Sequence, residues 1–405
     1  MDSELVATIR TNRFHDFRVS AAGWPLKQGQ RVAVRQVRHR FLFGANAFWL
    51  TGALSADWRA KHEERFLGLF NAATLPFYWG GYEPVEGEPA QANRESATAW
   101  CAAHGITTKG HPLCWHTVCA DWLMSYDNPT ILDTQMARIT REVTAFRGSI
   151  DMWDVINEVV IMPVFDKYDN AVTRIANYVG AVELTLRCFQ TAREANPGAT
   201  LLINDFDLSQ DYEALLEELL ARDCPIDAIG LQTHQHQGYR GSDYMNDVID
   251  RFARFGKPLH FTENTLISGD LMPAEIVDLN DFRAREWPST QAGEARQRGE
   301  VEEMYSTIYA RPEVESLTWW DMVDGHWLGA PSGLVRADLT PKPAYTRLQE
   351  LIKGEWWFGE KEIVVGEDGT FSITAPEGDY VLVLDGHEAE FSLSKHAPDV
   401  TVSVA

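Results

Sequence analysis

Positive charge is scarce in this chain. Its 36 lysines and arginines face 59 aspartates and glutamates, a formal net charge of -23 at pH 7. A surface of that sign repels nucleic acid and anionic lipid, so neither is expected as a partner. Long apolar runs are missing too. Nowhere do about 18 apolar residues follow one another, the length that crosses a bilayer. The N-terminus, Met1-Asp-Ser-Glu-Leu-Val-Ala-Thr-Ile-Arg10, lacks the basic start and apolar stretch of an export signal. As written, the chain is expected to be cytoplasmic; one trimmed of its export signal would be secreted and would read the same. Cysteine is limited to Cys101, Cys114, Cys119, Cys188 and Cys224. Their odd number, irregular spacing and lack of paired CxxC motifs exclude a full disulfide framework and read as reduced, mostly buried thiols. No low-complexity linker and no internal repeat beyond a βα rhythm occur.

What is present is a composition of folded type: 45% apolar and 11% aromatic residues over 405 positions. That length accommodates one large barrel plus a small module, or two to three ordinary domains. The 14 tryptophans suit stacking on sugar rings, although large aromatics first of all fill cores. From residue 41 to 353, short apolar runs alternate with longer amphipathic segments. Strands are expected at Phe41–Phe48, Ala72–Trp79, Ile106–Trp115, Ile150–Glu158, Thr200–Phe206, Ile226–His234, Pro258–Glu263 and Ser316–Met322. Helices are expected at Ala56–Phe70, Ala90–His104, Pro129–Phe146, Ala171–Ala195, Gln210–Arg222, Tyr244–Phe255, Gln291–Ala310 and Pro341–Lys353. Asn128-Pro129 reads as a cap followed by proline at the first helical position, and Asn196-Pro197-Gly198 as a helix stop. Leu215, Leu216, Leu219 and Leu220 form an apolar stripe.

Eight βα units predict an α/β fold, a (β/α)8 TIM barrel whose site lies at the C-terminal ends of the strands. The chain ends read differently. Period-2 stretches at Asp16–Ser20 and Gln30–Val37 flank the turn-like Ala22–Pro25, and Glu362–Val365, Thr370–Thr374, Tyr380–Leu384 and Val400–Val404 repeat the pattern. The expected organisation is an N-terminal β segment (1–40), the catalytic barrel (41–353) and a C-terminal β segment (354–405). The two end segments should pair into one small accessory β domain, since neither buries a core alone.

Two glutamates carry the chemistry. Glu158 ends the run Ile150-Asp-Met-Trp-Asp-Val-Ile-Asn-Glu158, and Glu263 ends Pro258-Leu-His-Phe-Thr-Glu263. A carboxylate where a buried strand meets its loop is costly unless the site uses it. Two such groups from different strands are what glycosidic cleavage needs, one to protonate the leaving oxygen and one to attack or to activate water.

Further motifs accompany them: Gly110-His-Pro-Leu-Cys-Trp-His116, Trp153-Asp-Val-Ile-Asn-Glu158, Ile203-Asn-Asp205, Ile229-Gly-Leu-Gln-Thr-His234, Thr262-Glu263, Trp319-Trp-Asp-Met-Val-Asp324 with Trp327, and Pro341-Lys-Pro-Ala-Tyr345. In this order, from Phe41 to Ile352, they resemble those of glycoside hydrolase family 10, the xylanase family. The resemblance implies Glu158 as acid/base and Glu263 as nucleophile. It also implies Asn157 on the 2-hydroxyl of the cleaved sugar, His116 on the same sugar, and His234 on the nucleophile. Gln232, on the same strand face as His234, is expected to help hold that network. Trp122, Trp320 and Trp327 correspond to the family's sugar-stacking tryptophans. His111 is expected to be a satisfied core histidine, and Asn204 and Asp205 to support the barrel end without touching sugar.

The chain departs from the family where an ENxxKW-like stretch should grip the next sugar. Here that stretch is Thr74-Leu-Pro-Phe-Tyr-Trp-Gly-Gly-Tyr-Glu-Pro84, without the Lys and Asn. Tyr78, Trp79 and Tyr82 are expected to offer aromatic surface instead. The family's TELD likewise reads Thr262-Glu-Asn264, and its SQ after WH reads Thr117-Val118. His234-Gln-His236 allows a metal reading, but no other strand end supplies the remaining ligands, so neither metal nor cofactor is expected. The sequence therefore predicts a divergent member: a retaining β-glycoside hydrolase with a carbohydrate substrate, an endo-1,4-β-xylanase or xylo-oligosaccharide hydrolase. A β-glycosidase for small decorated glycosides is the alternative, and a silent carbohydrate-binding relative the third reading.

Overall fold

The computed structural model describes residues 2–24 and 26–403; Pro25 of the expected turn and Val404 of the last expected strand lie outside the described residues. A helix, Ser3–Arg13, comes first, followed by strands β1 (Phe14–Ala22) and β2 (Arg31–His39). The barrel strands follow: β3 (Leu42–Asn46), β4 (Ala72–Pro76), β5 (Thr107–His111), β6 (Met152–Asn157), β7 (Thr200–Asp205), β8 (Ala228–Gln235), β9 (Leu259–Leu266) and β10 (Val314–Trp319). They close in the order β10-β3-β4-β5-β6-β7-β8-β9, each pair parallel. The eight strands expected from the sequence are the eight of the barrel.

Parallel strands covered by helices are buried on both faces. That explains why their sequences read as continuous apolar runs, such as Leu201, Leu202 and Ile203 in β7, all fully buried. β9 is buried throughout as well, although it carries His260, Thr262, Glu263, Asn264 and Thr265. The sequence ends this strand at Glu263, but pairing with β8 continues to Gln235–Leu266, so the glutamate stands inside the ladder. Register shifts interrupt β6–β7 between Asp154 and Ile156, and β8–β9 between Leu231 and Gln232. Such irregularities re-aim side chains beside a site, and these two lie next to Glu158 and Glu263.

Three local expectations are corrected. The cap of helix Asn128–Ala145 is Asp127, whose side chain accepts from the Thr130 amide, so Asn128 is already helical. The segment 171–195 is two helices, Ala171–Val179 and Ala181–Ala195, because Gly180 between them adopts φ 90°, a conformation open to glycine at little steric cost. The Ser3–Arg13 segment, read as part of a β region, is a helix that belongs with the barrel. Ile9 joins the barrel core, and the Arg13 guanidinium donates to the carbonyls of Tyr309, Arg311 and Val314. Val314 starts β10, so this helix covers the N-terminal end of the barrel.

After the barrel come β11 (Glu360–Val364), β12 (Phe371–Pro376), β13 (Gly378–Leu384), β14 (His387–Leu393) and β15 (Asp399–Ser403). They combine with the N-terminal strands into two sheets, β12-β1-β15 and β11-β2-β13-β14. Between the sheets lies a separate core that includes Phe17, Val19, Val34, Phe371, Leu382 and Phe391. The sandwich joins the barrel at its base, where His39 at the end of β2 bonds the Ile352 carbonyl (2.9 Å).

Gly110 in β5 pairs with Trp153 in β6, and a Cβ at Gly110 would overlap the indole of Trp153. Gly110→Ala is expected to destabilise the fold by about 1–3 kcal/mol through overpacking. Urea denaturation checks this; an unchanged midpoint contradicts the packing described.

Candidate active site

Both glutamates emerge at the C-terminal mouth of the barrel, and a chain of amides joins them. Gln232 Nε2 donates to Asn157 Oδ1 (3.1 Å) and to Glu158 Oε1 (3.4 Å). Asn204 Nδ2 donates to the same Asn157 Oδ1 (2.8 Å) and to Glu263 Oε1 (3.0 Å). One amide oxygen thus receives a donor from the partner of each carboxyl. Glu158 also accepts from Trp115 Nε1 (2.8 Å). Its backbone is left-handed, φ 56°, and its N–H donates to the Asn204 carbonyl (2.8 Å). A non-glycine residue in that region is uncommon and often marks a constrained functional position.

The two carboxyls have opposite protonation tendencies. Burial, reinforced by the charges of Glu263 and Asp205, pushes Glu158 up to about 8, against the bonds from Trp115 and Gln232. Burial also acts to raise Glu263, but the bond from His234 Nε2 to Oε2 (3.2 Å) and the influence of His111, His234 and Lys109 outweigh it. Glu263 is therefore held below the usual carboxylate range. At neutral pH one group holds a proton and the other is an anion, the division that acid and nucleophile roles require.

Behind Glu263 runs a line of buried ionisable groups. His111 Nε2 is 3.9 Å from Glu263 Oε1, and His111 Nδ1 is 2.8 Å from Asp154 Oδ2. That oxygen also meets Lys109 Nζ at 2.7 Å. His111 is a buried residue, as expected, and it additionally reaches the carboxyl on β9. Lys109 and Asp154 were legible as charges within apolar strands, yet their pairing needs the adjacency of β5 and β6. Asp205, raised to about 7 chiefly by burial, accepts from the Val160 and Asp207 amides (3.1 and 2.9 Å) and so fixes loops.

The aromatic residues divide into two groups. Tyr78 stands between Phe48, His111 and Trp115, with ring centroids 5.6, 5.5 and 5.3 Å away. Trp320 packs on His111 and Phe48 (5.4 and 5.3 Å), and Trp327 lies 4.2 Å from the ring of His234. These three pack on Trp115, His111 and His234, the side chains that reach the two carboxyls. Trp79 and Tyr82 do not provide cleft surface, contrary to the sequence reading. Trp79 is buried, donating to Glu83 Oε2 (3.0 Å) under the Arg138 guanidinium; Tyr82 is buried and donates to Glu142 Oε2 (2.6 Å). Their turn points both rings toward the helix Asn128–Ala145. Trp122 follows them, bonding the Glu83 carbonyl (2.9 Å) and packing edge-on to Trp79. His116 is buried against Phe165, 4.5 Å between centroids, and among the described residues no hydrogen bond joins it to either carboxyl.

His234 and His236 share the Thr265 hydroxyl, each through Nδ1 at 3.3 Å, and His234 spends its other nitrogen on Glu263. Among the described residues, no group of three or more His, Cys, Asp or Glu side chains is placed to hold a metal ion.

A protonated and an ionised carboxyl at one mouth of a (β/α)8 barrel define a site of the glycoside-cleaving class. The sequence model of glycosyl hydrolase family 10 matches residues 76–351, and the chain belongs to that family. It is 25% identical over 346 residues to endo-1,4-beta-xylanase C of Paenibacillus barcinonensis, covering 76% of this chain and 31% of the relative. It is 26% identical over 247 residues to an endo-1,4-beta-xylanase of Geobacillus stearothermophilus, covering 58% of this chain and 71% of the relative. The first three curated relatives are spanned over only 31%, 39% and 27% of their own lengths. In three dimensions the chain is similar to a GH10 structure from Paenibacillus barcinonensis, with TM-score 0.64, 24% identity, and coverage of 77% of this chain and 95% of that one. It is also similar to xylanase 10B from Thermotoga petrophila RKU-1 in complex with xylobiose, with TM-score 0.62, 21% identity, and coverage of 78% and 94%.

Because the Glu263 charge helps to hold the proton on Glu158, Glu263→Gln should lower the Glu158 value from about 8, while burial keeps it above the ordinary range. Carboxyl-labelled NMR titration reads this directly. A Glu158 titration that does not move in the variant contradicts the coupling.

Proposed function

We propose that this protein is a retaining β-glycoside hydrolase acting on β-1,4-xylan or xylo-oligosaccharides. The carrying observation is the amide-linked pair in which Glu158 holds a proton beside anionic Glu263. Glu263 attacks the anomeric carbon as the bond to the leaving oxygen breaks and Glu158 passes its proton to that oxygen. A glycosyl ester results. Esterification removes the Glu263 charge, so Glu158 ionises more readily and can take a proton from water as the water oxygen bonds the anomeric carbon. The ester bond breaks and both carboxyls return to their starting states.

Asn157 supports this scheme because its Oδ1 is occupied by two donors, which leaves its N–H groups for the sugar 2-hydroxyl. The xylan assignment rests on family membership and on the names of its relatives. The second reading, a β-glycosidase for small decorated glycosides, is favoured by the inward-turned Trp79 and Tyr82, which replace a sugar-gripping stretch with barrel wall.

Product analysis on xylan, xylo-oligosaccharides and aryl β-glycosides separates the two: cleavage of aryl or short glycosides with intact xylan favours the second. Glu263→Gln is expected to abolish turnover. Glu158→Ala should lower kcat/KM on xylo-oligosaccharides by about 10²–10⁴-fold and far less on aryl glycosides with activated leaving groups; equal losses contradict the acid assignment. The pH profile of kcat/KM should be bell-shaped. Activity rises as Glu263 ionises, below the usual carboxylate range, and falls near pH 8 as Glu158 loses its proton, its value being about 8.

A further inference from the structure

A third carboxyl lies at this mouth, and the chemistry above does not use it. Asp321 follows β10 directly. Trp319, the last residue of β10, is in register with Ala45 of β3 and Asn264 of β9, so Asn46 and the Trp320-Asp321 pair leave the barrel side by side. The Asp321 carboxyl is nine-tenths buried and meets the Asn46 side chain. Asn46 is 3% exposed, and its Nδ2 has no hydrogen-bond partner of good geometry among the described residues. Tyr78 completes the group, standing within electrostatic reach of Glu263, Asp321 and Glu158.

The arrangement is costly for folding. Among the described residues no cation pairs with Asp321, and the charged group acting on it, Glu263, has the same sign. A buried carboxyl without a counter-ion opposes stability, and the Asn46 amide, the neutral group that meets it, does so without good hydrogen-bond geometry, so neither is fully satisfied. Both groups sit beside the carboxyl that attacks the sugar. A ligand with hydroxyl groups would satisfy them together: the carboxyl oxygens accept from O–H groups while the amide donates to a hydroxyl oxygen.

On the reading of this site as a glycosidase, we propose that Asp321, with Asn46 and Tyr78, binds ring hydroxyls of the sugar seated against Glu263 and sets which glycone is accepted. The glycone is a neutral pyranose with free hydroxyls. A uronic acid is excluded, because its carboxylate would face Glu263 and Asp321. Burial first, with the Glu263 charge adding to it against the influence of the Asn46 side chain, pushes Asp321 up to about 7, so the group can donate as well as accept near neutrality. These three residues take the place of the Lys and Asn that the Thr74–Pro84 stretch lacks, but they act on the sugar being cleaved rather than on the next one.

The test compares 4-nitrophenyl β-xylobioside with analogues lacking single hydroxyls on the sugar bonded to the nitrophenyl group, using wild type, Asp321→Ala and Asp321→Asn. In wild type, one deletion is expected to lower kcat/KM by roughly ten- to a hundredfold. Asp321→Ala should show a similar loss on the full substrate and little further loss on that analogue. Asp321→Asn keeps the shape and answers the question if the alanine variant does not fold. A uniform loss on every substrate, or unchanged discrimination in both variants, overturns the proposal while leaving the glycosidase reading intact. Failure of wild type to cleave these glycosides, xylo-oligosaccharides and other aryl β-glycosides removes the glycosidase reading itself, and the proposed subsite falls with it.

Discussion

Two carboxyls can share a dry barrel mouth only if something fixes their separation and breaks their equivalence, and here the oxygen of Asn157 does the first. Gln232 and Asn204 both donate to it, and each passes its second hydrogen bond to one carboxyl. Neither glutamate can move without releasing an amide that is itself buried. Equivalence is broken on the other side of each group. Among the described residues, Glu158 has only neutral side-chain donors, Trp115 and Gln232, which offset burial in part. Glu263 has His234 and faces His111 and Lys109. The same low polarity that raises one carboxyl makes the stabilisation of the other effective.

The line from Lys109 through Asp154 and His111 to Glu263 explains why charged residues are tolerated inside strands that otherwise read as apolar. Each charge in it has an opposite or hydrogen-bonding neighbour within the barrel. Asp154 is held below its ordinary range because Lys109 and the His111 bond overcome its burial. Buried ion pairs contribute little net stability against well-packed apolar residues. Their value here is electrostatic and positional, since they fix the orientation of His111 toward the Glu263 carboxyl.

The fold was legible because a (β/α)8 barrel writes each unit into the sequence as a local period, and the eight apolar runs needed no knowledge of one another. What failed was local or aromatic. Ser3–Arg13 is short and weakly patterned, and Arg13 reaching three carbonyls at the barrel base anchors it; no sequence window contains those acceptors. Trp79 and Tyr82 read as cleft surface because they follow a strand end. Glu83, Arg138 and Glu142 turn them into the wall, and those partners come from the turn itself and from the helix Asn128–Ala145. Glu158 and Glu263 stood out as isolated carboxyls at strand ends. Asn204 and His111 became visible as site residues only with the register of β5 to β9.

Function and specificity occupy different sectors of the mouth. The amide chain and both glutamates belong to β6 through β9, and there the residues match the family's motifs. Asn46, Tyr78 and Asp321 belong to β3, the end of β4 and the end of β10, and Tyr78 lies in the stretch where the chain departs from the family's sugar-gripping pattern. A barrel permits this division because neighbouring loops are tied to separate strands and can change without moving the ladder beneath them. The terminal sandwich sits at the opposite end, joined through His39 to the Ile352 carbonyl. Contacts there act on the stability of the barrel and cannot reach the anomeric carbon directly. On the proposed reading, selection among sugars is shared between Asn157 and the three strands whose side chains stand at the mouth with Glu263 but take no part in the proton transfer.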